Sequence, residues 1–175
     1  ETIHDCAKNF ERWTDVIVAR TYSHQTIEEL AEHAAIPVIN ALSDRFHPCQ
    51  ALADVLTIAE HFPDRNWSEL SLAYIGDGNN VCNSLMLIAA ILGMNMRVIT
   101  PKGYEPAEDV TAQANELALE SGASLILTHD LQAAAGSDIV YTDTWVSMGD
   151  EAQAQKRLKV FAPYQVTEQV MCSAN

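Results

Sequence analysis

Apolar positions recur at two different periods along this chain, and the alternation between them predicts its elements. Ile3, Ala7, Phe10 and Trp13 fall at helical intervals across residues 1–13, whereas residues 15–19 are a short β-branched run, read as a buried strand that delivers Arg20 to its carboxyl end. Thr26 with Glu29 three positions on has the form of a capping box, which predicts a helix over 26–34. A second strand over 36–42 leads to His47. Pro48 suits a first helical position, and the following helix, 49–62, is expected to bury Leu52, Val55, Leu56 and Ala59 as one stripe. The polar connector 63–68 is the best domain boundary. Beyond it the pattern predicts strands at 70–75, 96–100, 125–128 and 139–142, and helices at 81–92, 106–120, 131–135 and 151–161. Gly93 and Gly122 stop two of these helices. Strand and helix alternate throughout, so the fold class is α/β, with two doubly wound parallel-sheet units of Rossmann-like type divided at 1–62 and 63–175.

Composition narrows the function. With 10 basic against 24 acidic residues the formal net charge is -14, which argues against a nucleic-acid partner, because phosphates would be repelled. No apolar run is long enough for a bilayer, and no signal pattern opens the chain, so no membrane partner is expected. Cys6, Cys49, Cys82 and Cys172 are scattered rather than paired, which points to reduced thiols and a cytoplasmic setting. The histidines lack metal-ligand spacing, so no metal is expected.

Ligands of open parallel sheets gather beyond the carboxyl ends of the strands, and four polar clusters fall there. They are Arg20; His47 with Gln50; residues 77–80 (Asp-Gly-Asn-Asn); and Asp143 with Ser147, Met148 and Gly149. Each has a plainer alternative. Arg20 suits a surface ion pair, His47 a helix cap, and Asp-Gly-Asn-Asn an ordinary turn. Asp143 followed by Trp145 suits a strand end with an aromatic plug, and Met148 suits packing. Cys49 and Cys82 lack a neighbouring base and are read as packing rather than as nucleophiles. The loop at 77–80 lacks the full glycine fingerprint of dinucleotide sites. Taken jointly, the clusters describe two walls of one cleft. Arg20, His47 and Gln50 suit a phosphate and a polar carbonyl; Asn80, Asp143 and Ser147 suit the carboxylate and ammonium of an amino acid.

His47-Pro48-Cys49-Gln50 with Ala53-Asp54 resembles the His-Pro-x-Gln motif of the carbamoyltransferases. Gly76-Asp77-Gly78-Asn79-Asn80 with Asn83-Ser84-Leu85, and Asp143-Thr144-Trp145-Val146-Ser147-Met148-Gly149, resemble the ornithine branch; Thr100-Pro101-Lys102-Gly103-Tyr104 and Pro163-Tyr164-Gln165-Val166 fit as well. An aspartate four residues before a Ser-Met-Gly loop does not favour the aspartate branch. The likeness covers the whole chain. It implies transfer of a carbamoyl group from carbamoyl phosphate to the δ-amine of L-ornithine, giving citrulline and phosphate, without cofactor or metal. By the same resemblance Arg20, His47 and Gln50 would bind carbamoyl phosphate, with Arg20 and His47 polarising its carbonyl. Asn80, Asp143, Ser147 and the Met148 backbone would bind ornithine. The attacking amine must be neutral, so activity should rise from neutral toward mildly alkaline pH.

The family's Ser-Thr-Arg-Thr-Arg phosphate loop and His-Cys-Leu-Pro segment have no counterpart in these 175 residues. Both units are therefore expected to be incomplete, and the isolated chain is expected to form no measurable citrulline. Members of the family commonly form homotrimers, and a homo-oligomer is expected here. Competing expectations are a relative acting on putrescine or a modified ornithine, and a non-catalytic amino-acid-binding module.

Overall fold

The protein, described by a computed structural model over residues 2–146 and 151–175, contains two parallel sheets. The smaller pairs β1 (Ile17–Arg20) with β2 (Val38–Leu42), with a register shift between Ala19 and Arg20. The larger has four strands, β3 (Ser71–Ile75), β4 (Asn95–Ile99), β5 (Leu125–Thr128) and β6 (Ile139–Thr142), in the order β5-β4-β3-β6. Chain order runs outward from β3 to β5 and then returns to β3's other side with β6. The carboxyl ends of β3 and β6 therefore flank a topological switch point, where open α/β sheets form crevices.

The helices are α1 (Ile3–Phe10), α2 (His24–His33), α3 (Pro48–His61), α4 (Asn80–Leu92), α5 (Glu108–Ser121), α6 (Ala154–Phe161) and α7 (Glu168–Ser173). Alternation along β3 and β4 divides the core between the two faces of the larger sheet. Leu72, Tyr74, Met96 and Val98 pack with Leu85 and Met86 of α4 and Val110 and Ala114 of α5. Ala73, Ile75 and Ile99 pack on the other face with Ala134 and with Val170 of α7. α4 is apolar nearly all round because it lies between the sheet, α3 and α5, and Gly93 ends it in the left-handed conformation at φ 79°.

Three expectations are corrected. Leu52 and Leu56 are each 61% exposed and Ala59 is exposed; α3 instead turns Ala51 and Ile58 inward, with Val55 half-buried. α3 carries two apolar stripes, and periodicity cannot choose between them. The stripe chosen draws Asp54 inward, a cost that the sequence pattern argues against. Second, α2 begins at His24, before the expected capping box: the His24 N–H donates to Asp44 Oδ1 (2.9 Å), so the neighbouring loop caps the helix instead of Thr26. Third, α7 was not anticipated. It is six residues long and is held by Thr167, whose side chain accepts from the Val170 N–H (3.4 Å). No helix of the described residues is long and apolar enough to cross a membrane.

Candidate active site

The loop between β3 and α4 is built around a helix start. Asn79 caps α4 through Oδ1, which accepts from the N–H groups of Val81 (3.0 Å) and Cys82 (3.1 Å). With its oxygen committed, the amide turns Nδ2 outward to donate to Asp143 Oδ2 at 2.9 Å. Asp143 lies just beyond β6, and its Oδ1 accepts from the Thr144 N–H at 2.7 Å. Among the described residues no cation pairs with Asp143, so its carboxylate is oriented but not neutralised.

Gly78 brings a second loop against the first. Its N–H donates to the Tyr104 carbonyl (2.9 Å), and a Cβ there would sit 2.2 Å from the Pro106 nitrogen. Next to it, Asp77 is nearly buried and ion-paired with Arg157 of α6. The Arg157 guanidinium also donates through Nε to the Trp145 carbonyl (2.7 Å) and lies over the rings of Tyr104 and Phe161. One cation thus ties α6 to both loops.

The facing wall comes from the smaller sheet and the start of α3. β1 ends at Arg20, which is exposed and makes no ion pair among the described residues. His47 stands at the N-cap position of α3, but its ring makes no capping bond. Instead its backbone N–H donates to Ser84 Oγ on α4 (2.8 Å), and Nδ1 is buried without a partner. Nε2 is then the ring nitrogen that a ligand can reach. Burial lowers the His47 pKa from its ordinary 6.5, and the Arg20 charge lowers it further; Asp143 and Asp54 pull the other way. One turn on, Gln50 donates through Nε2 to Asp54 Oδ1 at 2.9 Å.

Hydrogen bonds join the two walls. Asn80 Nδ2 donates to the Ser43 carbonyl (2.6 Å), Asn83 Nδ2 to the Arg45 carbonyl (3.0 Å), and Arg45 pairs with Asp109 of α5. Between the walls lies a cavity of about 540 Å³ whose lining includes Arg20, His47, Gln50, Asn80 and Asp143. Five expected site residues thus share one space. Asn80 enters it with part of its amide already engaged at Ser43, and its Oδ1 also accepts from the Val81 N–H (3.0 Å). Ser147 and Met148 lie outside the described residues.

The sequence reading missed Tyr22 and Tyr141, which also line the cavity, and the orienting role of Asn79. The Asn79 signal was present, an asparagine just ahead of an apolar helix. Tyr141 stacks on Tyr74 with centroids 5.8 Å apart, and burial together with Asp54 and Asp143 pushes its phenol pKa up. Cys82 is fully buried, which raises its thiol pKa well above the ordinary value and suits packing.

Comparison with known proteins gives a consistent result. The family model described as "Aspartate/ornithine carbamoyltransferase, Asp/Orn binding domain" matches residues 68–175, and the corresponding carbamoyl-P binding domain matches residues 1–60. The chain is 56% identical over 174 residues to a Shewanella oneidensis protein named ornithine carbamoyltransferase, covering 99% of this chain and 57% of that protein. Among solved structures, ornithine carbamoyltransferase from Pyrococcus furiosus superposes with a TM-score of 0.93 at 47% identity, covering 100% of this chain and 56% of that one. The anabolic ornithine carbamoyltransferase from Campylobacter jejuni gives 0.95 at 38%, covering 100% and 58%. The chain spans a little over half the length of the relatives it matches.

Proposed function

Because this chain belongs to the aspartate/ornithine carbamoyltransferase family, we propose that its cavity brings carbamoyl phosphate and L-ornithine together for carbamoyl transfer. The observation that carries the reading is Asp143, a carboxylate oriented by Asn79 and Thr144 and, among the described residues, left without a cation, in the same cavity as Arg20 and His47. Residues 1–62 would contribute the carbamoyl phosphate side and residues 63–175 the ornithine side. The homotrimer expected from the family, and the cytoplasmic setting expected from the scattered cysteines, belong to the same proposal.

In this reading Asp143 receives the α-ammonium, and Asn80 with nearby backbone N–H groups receives the α-carboxylate. The δ-amine then points toward His47. The amine lone pair attacks the carbamoyl carbon, the carbon–oxygen bond to phosphate breaks with its electron pair leaving on phosphate, and the nitrogen passes a proton to that departing phosphate to complete citrulline. His47, neutral because its pKa is lowered, donates from Nε2 to the carbonyl oxygen as charge grows there, and Arg20 supports the same oxygen and the phosphate. Holding the reactants in contact supplies much of the remaining rate.

Among the described lining residues one guanidinium, Arg20, stands with Asp44 and Asp143, while Asp77 is paired with Arg157. That balance suits a cationic amino acid better than a phosphate dianion. A calorimetric titration of the chain with L-ornithine and with putrescine separates the amine substrates. Ornithine is expected to bind about tenfold or more tightly than putrescine, since a diamine leaves the carboxylate donors unused. Equal affinity would turn the assignment toward a diamine substrate.

A further inference from the structure

We propose that Asp54 is a positioning residue that holds the Gln50 amide with its carbonyl oxygen turned to the cavity, so that the site takes a donor carrying a carbamoyl N–H2 and rejects an acyl phosphate carrying a methyl there. The selectivity half rests on the carbamoyl-transfer reading of the same site; the clamp half does not.

Asp54 lies one helical turn beyond Gln50 on α3 and is not itself one of the cavity's lining residues. An ionised carboxylate only accepts hydrogen bonds, so it must face the Gln50 Nε2 group, and it does so at 2.9 Å. The amide is planar, so fixing Nε2 on Asp54 aims Oε1 away from it, and Gln50 lines the cavity. One Nε2–H is thereby spent on Asp54, and the feature that the clamp turns toward the cavity is the Oε1 acceptor. A carbamoyl nitrogen satisfies that acceptor; a methyl in its place leaves it buried and unpaired.

Asp54 is an expensive way to hold a side chain that serves only as packing. Its Oδ2 is buried, burial raises its pKa, and beside Gln50 the Tyr141 phenol is the group among the described residues that bears on the carboxylate as a hydrogen-bond donor. The charged and titratable groups bearing on it are His47 at the start of α3, and Tyr141 and Asp143 from the β6 side; Tyr141, Asp143 and His47 all line the cavity. The carboxylate is thus directed entirely toward groups of the site.

The test reads the Gln50 side-chain amide of the 175-residue chain by ¹⁵N–¹H NMR, with its signal pair identified by its loss in Gln50→Glu. Asp54→Leu fills the space without an acceptor, and Asp54→Asn keeps one. The wild type and Asp54→Asn are expected to show a slowly exchanging, shifted Gln50 pair; Asp54→Leu is expected to show the fast-exchanging pair of a free glutamine. A Gln50 pair in Asp54→Leu identical to wild type would overturn the clamp. Carbamoyl phosphate and acetyl phosphate are then added in turn. The wild-type Gln50 pair is expected to respond to the carbamoyl compound at concentrations lower by about tenfold or more, narrowing to within about threefold in Asp54→Leu. Equal wild-type responses would overturn the selectivity. Silence toward carbamoyl phosphate would count against the proposed function instead, and the ligand-free spectra would still decide the clamp.

Discussion

The surroundings of His47 favour its uncharged imidazole. Burial is the larger cause and Arg20 the second, while Asp143 and Asp54 oppose them. A proton on the buried, unpartnered Nδ1 would be an orphaned donor, so the favoured tautomer carries it on Nε2, toward the ligand. The sign of the linkage is fixed by the lowered pKa. Between the native value and the unfolded 6.5 the unfolded chain binds more protons, so this residue's contribution to stability rises with pH through that window and is lost as pH falls through it. An NMR titration should place the His47 midpoint below 6.5 in the wild type, higher in Arg20→Gln and lower in Asp143→Asn. Shifts in the reverse order would mean that these charges do not face the imidazole. At this scale the strand-end rule made Arg20, His47, Gln50 and Asp143 legible in the sequence. Asp54 entered that reading only as a motif neighbour, and the engagement of Asn80 by Ser43 lay beyond it, because both depend on what stands across the cavity.

Among the elements, the start of α4 carries two tasks through one asparagine: Asn79 caps the helix with its oxygen and steadies Asp143 with its nitrogen. The two can be separated. Asn79→Ala is expected to lower stability by about 1 kcal/mol in urea unfolding and also to weaken ornithine binding. Asn79→Ser keeps a capping oxygen but has no amide for Asp143, so stability should fall by less than about 0.5 kcal/mol while binding weakens as much. Equal binding by Asn79→Ser and wild type would show that Asp143 needs no such support. Most elements were legible because their apolar spacing and glycine stops agree, as at Gly93 and Gly122. The inward face of α3 was not, since the sequence offers two apolar stripes and the buried one carries Asp54. α7 was not either, since what holds it, Val170 against the sheet and the Gly136 N–H donating to the Ser173 carbonyl (2.8 Å), comes from residues distant in the chain.

Across the whole molecule, the site exists because two parallel sheets present their carboxyl ends to one another. The order β5-β4-β3-β6 opens a crevice beside β3, and β1 and β2 deliver Arg20 and the start of α3 to its other side. Alternating periods announce parallel sheets but not strand order, so the position of β6 next to β3, and with it the approach of Asp143 to Asn79, had to come from the three-dimensional arrangement. Arg157 then fastens α6 to Asp77 and to the Trp145 carbonyl. The central claim is that the cavity between the sheets receives an amino acid by its ammonium at Asp143. Its most direct measurement is the affinity of the chain for L-ornithine in the wild type and in Asp143→Asn, which keeps the shape and removes the charge. The account predicts a loss of about 10- to 100-fold, the worth of one charge-assisted hydrogen bond. An unchanged affinity would contradict it.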